Sequence, residues 1–366
     1  MKLVSPFLKR VVYPGLSRAG YLRHRAGGGP AIVTYHGVLP SSYRVRDRAL
    51  DGSLVDATSL RRQIRLLKRN YQVISPAEFR SWCENMQELP RRAVLLTCDD
   101  GLQNAVTDML PVLQECSVQC LFFITSLSLQ DSSFMLWYEE LYLMLMSVHT
   151  SLRFQLSEFG LDVALDSDSK NGQWWELVKQ LSRFDHVMRE KILQQIKVEL
   201  NLDDSWKATY IDNPAAARRF GLLTVSQVRQ LLAAGMTVGA HSVSHPVLSQ
   251  ADDKLAQDEV LQSRIRLQDE TGQEVWAFAY PFGDPASVGA RDLQLAEQAG
   301  FSCAFMNAGG GFGTELPRYA LPRVHVTREM SLAEFEAHVS GFYRSLRQRF
   351  AGRGESLAIS AQGAQG

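Results

Sequence analysis

The chain has 366 residues, of which 45 % are hydrophobic, and 39 Lys and Arg balance 39 Asp and Glu. That length and apolar content suit one large α/β barrel carrying an insertion, and a zero net charge offers no basic face of the kind nucleic acid demands. Five cysteines (Cys83, Cys98, Cys116, Cys120, Cys303) match neither a zinc ribbon nor a disulfide framework, so they read as reduced, mostly buried thiols.

The first 30 residues form a basic arm: Lys2, Lys9, Arg10, Arg18, Arg23 and Arg25 all precede the first acid, Asp47. Lys9-Arg10 and Pro14-Gly15 interrupt its apolar residues, so no signal-peptide core is recognised. Nowhere does an apolar run reach the roughly 18 residues of a membrane-spanning helix. The expectation is a cytoplasmic protein whose arm is loosely packed, with peripheral contact to an anionic membrane open to it.

From residue 31 short apolar runs alternate with amphipathic helices, the pattern of a parallel sheet. Ala31 to Tyr35 reads as the first strand, and Leu60, Ile64 and Leu67 give Ser59 to Asn70 helical spacing. Ser75-Pro76-Ala77-Glu78 is a capping box with proline at the first helical position. A strand follows over Ala93 to Thr97, a helix over Leu102 to Cys116 and a strand over Leu121 to Ile124. From about 132 to 221 the rhythm breaks, and this stretch reads as a mostly helical insertion whose Trp137, Trp174, Trp175 and Trp206 build a local core. The rhythm then resumes. Thr224 and Gln227 cap a helix ended by Gly235, and Met236 to Ala240 is a strand. Leu255 to Glu270 is a long helix, and Val275 to Ala279 a strand. A helix over Arg291 to Ala299 and strands over Phe301 to Phe305 and Tyr319 to Val326 follow. Ser331 to Glu334 caps the last helix. The barrel thus spans 31–346, and 347–366 is expected as a flexible tail, rich in Gly, Ser, Ala and Gln from Gly352.

Two polar motifs sit immediately after predicted strands, where α/β barrels build their active sites. The first is Thr97-Cys98-Asp99-Asp100-Gly101. Adjacent carboxylates repel and need a cation or proton to coexist. Their side chains diverge on an extended chain, so one can bind a metal while the other takes a proton. The second is His241-Ser242-Val243-Ser244-His245-Pro246, read as two imidazoles on one side of a helical turn. Together the motifs supply one carboxylate and two imidazoles, which is what a hydrolytic metal with an open position needs. Zinc suits that set best; manganese, cobalt and nickel also fit.

These motifs resemble the first two of the polysaccharide deacetylases, the NodB-homology domains of carbohydrate esterase family 4. Phe278-Ala279-Tyr280-Pro281-Phe282-Gly283 resembles their third. The resemblance runs over about 31 to 346, weakest in the insertion. It implies a distorted (β/α)7 barrel and metal-assisted removal of N-acetyl groups from amino sugars in a polysaccharide or glycan precursor. Carried over residue by residue, it makes Asp100, His241 and His245 the metal ligands and Asp99 the general base. Tyr280, Pro281 and Phe282 are the substrate-side segment, with the Phe282 N–H as an oxyanion donor. The arginine that usually opens the third motif is replaced by Ala279, and Arg323 on a neighbouring strand is the candidate to orient the base. The general acid is His36, in a Tyr35-His36 pair resembling the permuted arrangement of biofilm-exopolysaccharide deacetylases, or His325. Two other readings stay open: deformylation or another non-peptide amide hydrolysis on a lipid-linked or small substrate, and a catalytically silent glycan-binding relative.

Overall fold

The computed structural model describes residues 4–24, 29–40, 43–45, 48–131, 133–147, 151–166, 170–203, 205–313 and 315–351. Seven of the apolar runs are strands: β1 (Ala31–Tyr35), β2 (Ala93–Cys98), β3 (Leu121–Ile124), β4 (Thr237–Ala240), β5 (Ala277–Ala279), β6 (Cys303–Gly309) and β7 (Leu321–His325). All pair in parallel, in the order β1-β7-β6-β5-β4-β3-β2, and β2 returns to β1 through the register Ala31↔Val94 to Tyr35↔Cys98. The ring is therefore closed, a seven-stranded barrel with helices outside it. A short strand, Gln72–Val73, pairs with the start of β2 while β3 pairs with its end.

Every residue of β1, β2 and β3 is buried, which is why these strands read as continuous apolar runs rather than alternating ones. Ile32, Leu95, Leu121, Phe123, Ala277, Phe305 and Leu321 pack together, while Val33, Val94, Leu96, Phe122 and Val238 pack with the outer helices. The expected helix starts hold: Ser75 and Thr224 both close capping boxes, and Ser331 accepts from the Glu334 N–H. The helix expected from Leu102 instead begins with a π turn, Ala105–Met109, and continues as Leu110–Glu115. Pro111 cannot donate to the preceding turn and its ring crowds the carbonyl there, which widens the winding upstream.

The insertion is less helical than its composition suggests. Besides helices Trp137–Ser147, Lys170–Leu181 and His186–Glu199 it contains an antiparallel hairpin, Leu152–Leu156 with Leu161–Leu165. Phe154, Leu156, Leu161, Val163 and Leu165 face a core shared with Trp137, Leu181, Ile192 and Ile196, and the polar residues between them face out. That core also takes in Val247, just beyond the histidine pair, so the insertion packs against the barrel at the end of β4. A buried ion network holds its other end: Arg219 reaches Asp51 at 2.8 Å and Glu139 at 2.7 Å.

Residues 4–24 are not a loose arm. They form short helices whose Tyr13 and Leu22 are buried with Ala337 and against Phe342. The last helix, Phe342–Ala351, extends into the stretch expected to be flexible, and 352–366 lie outside the described residues. Among the described residues no helix is long and apolar enough to cross a membrane. All five cysteines are free thiols, four of them buried.

Candidate metal and acid-base site

The ends of β2 and β4 bring the two polar motifs together. Asp100 Oδ1 lies 3.4 Å from His241 Nε2 and 3.3 Å from His245 Nε2, and all three residues are buried. Their candidate ligand atoms fall within 4.8 Å of one another. The donors fit a cation. His241 Nδ1 lies 2.8 Å from the Ala279 carbonyl oxygen, which can only accept, so Nδ1 carries the hydrogen and Nε2 keeps its lone pair toward Asp100. Burial lowers the His245 pKa despite Asp100, which favours the neutral imidazole a metal requires. Burial opposes ionisation of Asp100 as well, but the neighbouring His241 and His245 hold its carboxyl well below the ordinary carboxylate range.

Neither motif has the backbone expected of it. His241 to Val247 is an irregular loop, not a helical turn. Asp99 and Asp100 diverge because the chain turns, with Asp100 at φ 75° and Gly101 at φ 78°, rather than because it is extended. Among the described residues eight non-glycines have positive φ, and four of them (Asp100, Ser242, His245 and Phe282) line this site. Such conformations cost of order 1–3 kcal/mol each and persist only where surroundings over-determine them.

Those surroundings can be named. Glu259, on the long helix Asp253–Thr271, accepts the Val243 and Ser244 N–H groups, both at 2.8 Å, and the Ser244 hydroxyl. Arg189 of the insertion donates to Ser244 Oγ and lies 3.9 Å from Glu259. The Trp137 indole N–H donates to the His245 carbonyl at 2.8 Å, and Ser182 accepts from the Val247 N–H at 3.1 Å. The sequence reading missed Glu259, Arg189, Trp137 and Ser182 as supports of the loop. They lie on distant segments, and none carries a local motif.

Asp99 and Arg323 form a bidentate pair, NH1 to Oδ1 at 2.7 Å and NH2 to Oδ2 at 2.5 Å, with side chains 2 % and 0 % exposed. Arg323 also donates to the Met306 carbonyl at 2.8 Å and to Thr97 Oγ1 at 3.2 Å, and lies over the Phe123 and Phe305 rings. Burial would raise the Asp99 pKa, but Arg323 foremost, with His241 and His36, brings it below the usual value. His36, just past β1, and His325, the last residue of β7, have ring centroids 4.8 Å apart. His325 is pushed down to about 3, first by burial and then by its neighbour His36.

The third motif divides. The Tyr280 phenol is buried in the core and donates to the Tyr319 carbonyl at 2.8 Å, so its ring does not face the site. Pro281 is buried at the turn, and the Phe282 ring packs 4.8 Å from His245. The insertion adds Tyr138, whose ring lies 5.0 Å from His245 and 5.3 Å from Phe282. Burial, then the Asp100 charge, raises its phenol pKa well above normal. No sequence signal distinguished Tyr138 from its aromatic neighbours.

The fold and site together define a closed seven-stranded parallel (β/α)7 barrel with an Asp-His-His cluster at the C-terminal ends of its strands. Residues 193–304 match the family model described as polysaccharide deacetylase, a span that includes the histidine pair and the third motif but not Asp99 and Asp100. The putative polysaccharide deacetylase YxkH of Bacillus subtilis (strain 168) is 22 % identical over 158 residues, 39 % of this chain and 56 % of that protein. The poly-beta-1,6-N-acetyl-D-glucosamine N-deacetylase of Escherichia coli (strain K12) is 39 % identical over 77 residues, 20 % of this chain and 12 % of that protein. The chain thus spans little more than half the length of the first relative and a small part of the second. Among solved structures, Streptococcus pyogenes deacetylase PplD has a TM-score of 0.53 at 15 % identity, covering 84 % of this chain and 97 % of its own. IcaB from Ammonifex degensii also scores 0.53, at 16 % identity, covering 86 % and 98 %. The family likeness is thus carried by residues 193–304, and the likeness to the solved structures is one of fold.

Proposed function

We propose that the protein is a metal-dependent hydrolase that removes N-acetyl groups from amino sugars of a polysaccharide or glycan precursor. The observation that carries this reading is the convergence of Asp100, His241 and His245 beside a carboxylate, Asp99, that a buried arginine keeps ionised. A divalent ion held by those three residues, zinc best suited and manganese, cobalt or nickel also compatible, supplies Lewis-acid polarisation of the amide carbonyl and of water.

The chain's own groups account for the proton movements. Asp99 takes the proton of the attacking water, and Arg323 fixes its orientation and ionisation. The Phe282 N–H, in a left-handed turn against His245, donates to the carbonyl oxygen as negative charge develops there. His36 protonates the departing sugar nitrogen, because an amide anion is too poor a leaving group. His325, driven neutral by burial, is the weaker source of that proton and serves to orient His36. One C–O bond forms and one C–N bond breaks, giving acetate and a free amine.

The test is acetate release from a panel of N-acetylated saccharides, beside N-formylated sugars and cyclic amides, with and without chelator. Chelator-sensitive release from acetylated sugars is expected. Release that survives metal removal, or activity confined to formyl or cyclic amides, would overturn the reading. Asp99→Asn should lose about 10² to 10⁴ in rate while keeping its metal.

A further inference from the structure

We propose that the N-terminal segment, residues 4–24, together with helix Phe342–Ala351, seats the protein on an anionic lipid surface. The proposal stands apart from the deacetylase reading and rests on a different part of the molecule.

The segment is folded and two-sided. Its inner side is fastened: Tyr13 and Leu22 are buried, Leu8 and Leu16 pack beside them, Lys9 pairs with Glu334 at 2.8 Å, and Ser17 bonds Glu336. Its outer side is not. Phe7 is 59 % exposed and Val11 55 %, one turn apart, and Arg10, Arg18 and Arg23 of the same segment are exposed too. Tyr21, 46 % exposed, packs edge-on to Phe342, and the helix beginning there exposes Arg347 and Arg349.

Charge is segregated here. The whole chain is neutral, yet 4–24 and 342–351 contain seven Lys and Arg and no Asp or Glu. The acids behind the segment, Glu334 and Glu336, are buried and engaged by Lys9, Ser17 and Asn70. Exposed large apolar side chains on a segment that also exposes arginines are what an interfacial helix presents: the apolar groups enter the headgroup boundary and the guanidiniums meet anionic lipid. A partner held by charge alone, such as heparin, would gain nothing from Phe7 and Val11, so the lipid surface is the occupant both features fit.

The experiment is co-sedimentation of the full chain with vesicles of two parts phosphatidylcholine to one part phosphatidylglycerol, beside vesicles of phosphatidylcholine alone and a heparin column. Binding to the anionic vesicles should exceed binding to the neutral ones by about tenfold or more, given the number of exposed arginines. The Phe7→Ser/Val11→Ser variant should lose about tenfold in vesicle binding with heparin retention unchanged. The Arg10→Glu/Arg18→Glu variant should lose both. Thermal melts confirm that these exposed substitutions leave the fold intact. Equal binding to both vesicle types, no vesicle binding, or a Phe7/Val11 variant that sediments like the parent would overturn the proposal; the last outcome would mark the face as a general polyanion site.

Discussion

The Asp99–Arg323 pair makes a sharp stability prediction. Both partners are almost fully excluded from water, and two short hydrogen bonds join them. Replacing Arg323 by Met keeps much of the stem volume between Phe123 and Phe305 but leaves a buried carboxylate without its partner. Breaking such a pair from one side typically costs about 3–5 kcal/mol, because the remaining charge keeps its desolvation penalty and loses its compensation. In the parent, the Asp99 pKa is depressed, so its stabilisation is present above the unfolded carboxylate pKa and is lost as pH falls through the folded one. In Arg323→Met the largest opposing charge is gone, His241 and His36 no longer outweigh burial, and the pKa rises above its unfolded value. The sign then reverses, and the variant is penalised most once pH exceeds that raised pKa. Urea unfolding of the parent, Arg323→Met, Asp99→Asn and the double variant, at pH 5 and pH 8, reads both effects. The Arg323→Met penalty should be larger at pH 8. The double variant should cost less than the sum of the singles by about 2 kcal/mol or more. Additivity within about 0.5 kcal/mol, or a penalty indifferent to pH, would refute the argument.

Three further outcomes are expected. Glu259→Gln, which trades an acceptor of two backbone N–H groups for an amide in the same place, should weaken Co(II) or Zn(II) binding by about 10- to 100-fold, read by competition titration, and should lower the melting temperature because buried Arg189 loses the charge opposite it. Gly310→Ala should destabilise by several kcal/mol, about 3 or more by urea midpoint, because its Cβ would lie 2.1 Å from the Arg323 backbone carbon at the irregularity between β6 and β7. His338 is stacked on Tyr343 and lowered to about 4, by burial first and the Lys9 charge second. Its unfolded pKa is higher, so the unfolded chain binds the extra proton and stability falls as pH drops from about 6.5 toward 4, by at most about 3 kcal/mol. His338→Phe should remove that part of the acid sensitivity in unfolding measurements at pH 7 and pH 4.

Much of this protein was readable along the chain because the relevant physics is local. Runs such as Ala31–Tyr35 and Leu121–Ile124 announce strands buried on both faces, and Ser75 with Glu78 announces a helix start, since each depends on residues a few positions apart. The hairpin in the insertion was missed: Phe154, Leu156, Leu161, Val163 and Leu165 recur with a period of two, but the stretch reads as mostly helical. Asp99, Asp100, His241 and His245 stood out because adjacent acids and paired imidazoles after strands are chemically unusual.

Only the tertiary structure decided how those residues are held. Barrel closure sets β7 beside β1 and β1 beside β2, and so delivers Arg323 to Asp99 across more than 220 residues, a contact with no sequence periodicity. The left-handed turns at Ser242 and His245 violate local preference and survive because Glu259, Arg189, Trp137 and Ser182 meet the loop's polar groups from other segments. The N-terminal residues looked unattached for the same reason: the groups that bury Tyr13 and Leu22 lie more than 300 residues away. Local pattern determines which elements form and which side chains carry chemistry, because those depend on short-range sterics and polarity. Orientation, ionisation and strain depend on neighbours that folding alone brings into contact.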